Sequence, residues 1–230
     1  MKTNTSIQPK FMFLMVLGTF VFTFVYYFIG NYITKSQLNY YQYLSFISVL
    51  AVVIVGGYQI FFWVQRNNYF FKTRCLKTKF DDYIPFWPKF IWVYSFSYYL
   101  LIGLVVVSIK SLQQGVYMIF GGLLLLILQS ICFLIFPCTV PPSWRLYKVD
   151  SPSTKYLKFV QNLDNGRNCF PSMHCSLAMY VGLLLAPVIS YYALILVFLV
   201  VISCLFVKQH QIADILPGIL LGYIVYIAVI

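Results

Sequence analysis

Apolar positions in this 230-residue chain gather into seven runs, and polar residues crowd the gaps between them. The runs cover roughly residues 11–30, 43–64, 90–109, 116–136, 173–190, 191–207 and 211–230. A helix needs about 20 consecutive apolar residues to cross the hydrocarbon core of a bilayer, so each run predicts a span. The fifth and sixth are short and nearly continuous, broken only by Pro187 and the Ser190-Tyr191-Tyr192 step. Fused, they are too long for one span. The expected fold is an all-α polytopic transmembrane helix bundle of six or seven spans. Two long gaps remain, residues 65–89 and 137–172. In the second, Tyr156, Leu157, Phe159, Val160 and Leu163 recur at helical spacing, which predicts a short interfacial helix before the fifth span. The first run is too long for a secretory signal and lacks a small-x-small cleavage site, so it is expected to remain as a span. The chain is expected to be one membrane domain over residues 1–230, with residues 11–136 forming the N-terminal spans.

Composition agrees with this pattern. Apolar residues make up 61% of the chain and charged residues 9%, against about 45–50% and 25% in soluble domains. So much apolar surface cannot be hidden inside a small globule, which excludes a soluble or disordered protein. Tyrosine and tryptophan collect near the run ends, among them Tyr26, Tyr27, Tyr40, Trp63, Trp87 and Trp92, as an interfacial belt requires. The six cysteines show no C-x-x-C pair and imply no disulfide framework.

Charge adds sidedness. With seven spans, the N-terminus, both long loops and the 208–210 turn share one side. That side carries fourteen of the sixteen lysines and arginines, leaving Lys35 and Lys110 opposite. The positive-inside rule places this basic face in the cytoplasm.

Only two histidines and five acidic residues occur, and three of these seven scarce groups fall in two clusters: Cys169-Phe170-Pro171-Ser172-Met173-His174 and His210-Gln211-Ile212-Ala213-Asp214. Ionisable groups at the ends of apolar spans are costly and mark function by default. His174 follows Pro171 and the capping candidates Asn168 and Ser172 at a helix start, where unpaired amides and the helix dipole welcome an anion. His210 and Asp214 share one helix face a turn apart, so the carboxylate can hold one imidazole nitrogen and leave the other as a nucleophile. Lys208 supplies a cation at the same entrance.

Residues 137–222 resemble the type-2 phosphatidic acid phosphatase superfamily. Phe170-Pro171-Ser172-Met173-His174 resembles its second motif, Pro-Ser-x-His, and Ser203 through Asp214 is similar to its Ser-Arg-x5-His-x3-Asp motif. The Lys208-Gln209-His210 form with Asp214 and Gly218 looks closest to the inositol phosphorylceramide synthase branch. The resemblance implies a lipid phosphatase or lipid phosphotransferase in which His210 is the nucleophile that becomes phosphohistidine, Asp214 orients it and His174 protonates the leaving alcohol. Lys208, Arg145 and Ser172 are the expected phosphate ligands. No metal and no cofactor is implied; the expected partners are the bilayer and a membrane lipid, not nucleic acid. Two departures stand out. Cys204 occupies the arginine position of the third motif, and the first motif, Lys-x6-Arg-Pro, survives only as a remnant over residues 137–145 that ends in Arg145.

Other readings remain open at this level. The histidines can be a structural pair, a degenerate non-catalytic site, a haem or metal site, or a proton relay in a transporter. The cysteines beside His174 lack zinc spacing, and a transporter calls for mid-span charges and paired broken helices, neither of which the sequence offers. Phosphatase and transferase are not distinguished by these residues.

Overall fold

The computed structural model describes residues 9–36, 38–163 and 166–230, and within them the chain is helical with no β-strand. In order these are α1 (Pro9–Ile29), a π-helical turn (Gly30–Thr34), α2 (Tyr40–Asn67), the single turn α3 (Phe80–Tyr83), a 3-10 turn (Pro88–Phe90) leading into α4 (Ile91–Ser108), α5 (Leu112–Ile135), a second 3-10 turn (Pro142–Arg145), α6 (Pro152–Leu163), α7 (Met173–Ile189), α8 (Tyr192–Phe206) and α9 (Ile212–Val229). Four of them, Tyr40–Asn67, Pro88–Ser108, Leu112–Ile135 and Ile212–Val229, are long and apolar enough to cross a membrane, and α7 and α8 are shorter apolar helices. The protein is an integral membrane helix bundle.

Caps explain where helices begin. Hydropathy marks the apolar stretch, but α2 starts three residues earlier because Asn39 accepts from the Gln42 amide while the Gln42 side chain accepts from Asn39. Ser111 does the same for α5 by accepting from the Gln114 amide. The fifth and sixth runs are two helices, separated at Ser190, whose φ of 55° ends α7.

Helix α7 lies at the centre, packed against α4, α5, α8 and α9. Its closest neighbour is α9, and the reason is a Gly218-x-x-x-Gly222 stripe. A Cβ at Gly218 would sit 2.6 Å from the Ser172 carbonyl oxygen, and one at Gly222 would sit 2.2 Å from that of Ser176. Only glycine lets the two backbones approach so closely. Gln129, fully enclosed on α5, donates to the Pro171 carbonyl and accepts from the Ser176 hydroxyl, fastening α5 to the start of α7. Outward faces of α1, α2 and α9 remain apolar and exposed, as at Phe24, Val52 and Leu216.

The expected interfacial helix is α6. Leu157 is its buried anchor, Tyr156 stacks on Trp92 of α4 with centroids 4.8 Å apart, and Phe159 and Leu163 stay exposed. The 65–89 loop carries an unforeseen turn, α3, and does more than supply positive charge.

Candidate active site

Three loops far apart in sequence meet at one end of the bundle. Arg74, Cys138 and Asn168 pair side by side through isolated bridges: the Arg74 amide donates to Pro137, Thr139 to Arg74, Cys138 to Arg167 and Cys169 to Cys138. Asn68 donates to Asn168, whose own amide reaches the Phe61 carbonyl. This small ladder consumes backbone groups that have no helix to satisfy them. It also fixes the carbonyl of Cys169.

The α8–α9 turn supplies the other half. Helix α8 closes with Lys208 in the left-handed region, φ 57°, and the Gln209 amide bonds back to the Cys204 carbonyl. The reversal throws successive side chains in different directions. Lys208 Nζ donates to the Asp81 carbonyl at 2.7 Å and lies 4.7 Å from the Trp144 ring centroid. Burial pulls its pKa below the ordinary lysine value, opposed by the charges of Asp81 and Asp82. Asp81 is itself fully buried: one carboxylate oxygen accepts from the Ile212 amide at 2.8 Å, the other from the amide and hydroxyl of Thr78. A carboxylate is thus set against the N-terminus of α9, where the dipole favours it.

His210 and His174 come together here. Their ring centroids are 5.8 Å apart and edge-on, and His174 stacks at 4.1 Å on Tyr94 of α4. His210 Nδ1 is 3.1 Å from the Cys169 carbonyl and 3.4 Å from Asp214 Oδ2. Both neighbours are acceptors, so the proton belongs on Nδ1. Asp214, completely buried, also accepts from the Gln211 amide at 2.9 Å, and its carbonyl accepts from the Ser172 amide. That last bond joins the two motifs directly.

Both rings line a cavity of about 500 Å³ that runs between α2, α4, α5 and α7 and is otherwise largely apolar, from Cys169, Met173 and Gln209 to Leu50, Met118 and Gly122. This is the usual size for a small-ligand site. The six expected site residues divide. His174 and His210 line the cavity, with Asp214 behind. Ser172 caps α7, its hydroxyl accepting from the Cys175 amide. Lys208 is turned to Asp81, and Arg145 donates to the Gln161 carbonyl at the end of α6; neither is among the cavity's lining residues. Cys204, in the arginine position, is fully buried and is a free thiol, as is Cys175. Cys138 beneath the site is a thiol, pushed up to about 12 by burial and the nearby charge of Asp214. Among the described residues no cluster of three or more His, Cys, Asp or Glu side chains suits a metal ion.

A model of one protein family matches residues 61–228, well over half of the chain, including His174, His210 and Asp214. The chain belongs to the PAP2 superfamily. Searches among curated proteins and among solved structures gave no significant match. PAP2 membership supports lipid-phosphatase chemistry in general terms, and the apolar helices agree with a substrate held in the membrane. The PAP2 match also begins upstream of the histidine motifs, at Phe61, and so takes in the Asp81 turn.

Proposed function

We propose that the protein is an integral membrane lipid phosphatase or phospho-headgroup transferase working through a phosphohistidine, without a metal. The observation that carries this reading is the pair of imidazoles facing one cavity with centroids 5.8 Å apart, a gap that one phosphoryl group can bridge. With its proton held on Nδ1 by the Cys169 carbonyl and Asp214, His210 attacks phosphorus through Nε2. The P–O bond to the lipid alcohol breaks, and His174, protonated as the phosphate anion enters beside it, gives its proton to the departing oxygen. In the second half, water or an alcohol attacks the phosphohistidine, the P–N bond breaks, and His174 takes the proton back. Asp214 stabilises the cationic His210 ring between the two halves.

The lipid tail occupies the apolar reach of the cavity toward Leu50, Met118 and Gly122, with the phosphate at the histidine end. Lys208 and Arg145 contribute as positive charges around this end, each fastened to a loop carbonyl. The Lys-Gln-His form favours the inositol phosphorylceramide synthase-like branch, hence transfer to an alcohol, and the basic loops favour a cytoplasmic face. Residues 1–230 act as one membrane domain in this scheme, crossing the bilayer six or seven times.

The test is purified protein in bilayer discs, offered phosphatidic acid and headgroup-bearing phospholipids with and without chelator. Phosphate release or headgroup exchange that resists chelator and disappears in His210→Ala and His174→Ala supports the reading. Trapping an acid-labile phosphoprotein in wild type but not in His210→Ala supports the covalent step. Turnover that survives His210→Ala overturns it.

A further inference from the structure

Gln209 stands immediately before the nucleophile and lines the same cavity as both histidines, yet it is only 3% exposed. Neither its Oε1 nor its Nε2 has a hydrogen-bond partner. Burying a carboxamide with both ends unsatisfied is costly, and folds that retain such a group have a use for it. Its backbone is not strained for partners: the amide bonds to Cys204. The left-handed Lys208 is what separates the two side chains, sending the lysine to Asp81 and leaving the glutamine with the cavity. Among the described residues the cavity lining holds no lysine or arginine, Lys208 and Arg145 being bonded to carbonyls of Asp81 and Gln161 and Cys204 standing at the arginine position.

We infer that Gln209 is the substrate-contact residue that replaces the missing guanidinium, a conclusion that rests on the phosphoryl-transfer reading above. Its Nε2 donates to a non-bridging phosphoryl oxygen, and its Oε1 accepts from the hydroxyl that takes up the phosphoryl group, whether water or an alcohol. A carboxamide suits this double task because it offers one donor end and one acceptor end, whereas lysine and arginine only donate. Being neutral, it holds the phosphate without drawing the Asp214 charge away from His210. The ligand class is therefore a phosphate ester, followed by a hydroxyl acceptor that takes the place of the departed alcohol.

The experiment compares wild type, Gln209→Leu and Gln209→Glu in bilayer discs, reading thermal midpoint with and without orthovanadate, and phosphate release from phosphatidic acid. Gln209→Leu removes the unsatisfied dipole, so its midpoint without ligand is expected to equal or exceed that of wild type. Its vanadate-induced shift is expected to vanish and kcat/KM to fall about 10- to 100-fold, the range for one hydrogen bond to a charged group. Gln209→Glu, which keeps an acceptor but repels phosphate, should bind vanadate no better than Gln209→Leu. If Gln209→Leu keeps the wild-type vanadate shift and kcat/KM, the inference falls while the phosphoryl-transfer reading stands. If wild type neither responds to vanadate nor releases phosphate, both fall.

Discussion

Replacing Gly218 with alanine tests whether the contact between α7 and α9 sets the catalytic geometry. The new Cβ would lie 2.6 Å from the Ser172 carbonyl oxygen and 3.2 Å from both the Ser172 amide nitrogen and the Cys175 Cβ. These are mostly backbone atoms, so no side-chain rotation relieves the clash. Restoring an ordinary contact of about 3.4 Å demands that the helices part by most of an ångström at that level. Ser172 is two residues before His174, and its amide is bonded to the Asp214 carbonyl at 2.9 Å. The separation therefore acts on both histidine-bearing segments at once. Overpacking costs roughly 1–3 kcal/mol, and alanine returns about 1 kcal/mol of helix propensity, so the net loss of stability is about 0–2 kcal/mol. Misplacing reacting groups by an ångström costs about 100-fold in rate. The expected signature is a well-folded variant, by circular dichroism and thermal denaturation in bilayer discs, whose kcat/KM for phosphate release has fallen about two orders of magnitude. Gly56→Ala on α2 serves as control, because nothing lies within 4 Å of a Cβ there and Gly56 does not line the cavity. Wild-type turnover by Gly218→Ala would show that close helix approach is not what aligns the rings.

Two further changes probe other parts of the same end. Asp81→Ala strips the buried acceptor from the Ile212 amide and from Thr78; hydrogen bonds to charged groups being worth about 1.5–3 kcal/mol, it should destabilise by about 2–4 kcal/mol and reduce turnover, with an unchanged melting temperature counting against the capping role. Gly122→Phe projects a ring into the cavity from open space on α5; turnover of long-chain phosphatidic acid should drop severalfold while a short-chain analogue is spared, and equal loss for both would rule out that reach of the cavity as the tail site.

Much of this was legible in the residue pattern. Lipid-soluble runs, the α6 helix and the convergence of His174 with His210 all follow from local periodicity and from alternating helix direction. The roles of Lys208, Gln209 and Asp81 were not. Lys208 reads as a phosphate ligand because it precedes His210, but one left-handed residue at the end of α8 turns it to Asp81. Asp81 reads as a loop charge, since its partner Ile212 is 131 positions away. The Cys169 carbonyl that shares His210 Nδ1 with Asp214 is a backbone atom, invisible to any residue-type search. Gln209 has no role readable from residue type, because its significance lies in the partners its side chain lacks.

Since the Arg74–Cys138–Asn168 ladder laces the first long loop to the second, and Lys208, Gln211 and Ile212 bond to Asp81 and Thr139 of those loops, the two ends of the molecule differ in what they tolerate. Peptide tags or glycosylation acceptors inserted at Lys110 or Ser190, both exposed and remote from that lacing, leave the reaction centre undisturbed. Those two turns are accordingly the natural attachment points for reporters of orientation, and the ladder end is where protease nicking will silence the molecule first.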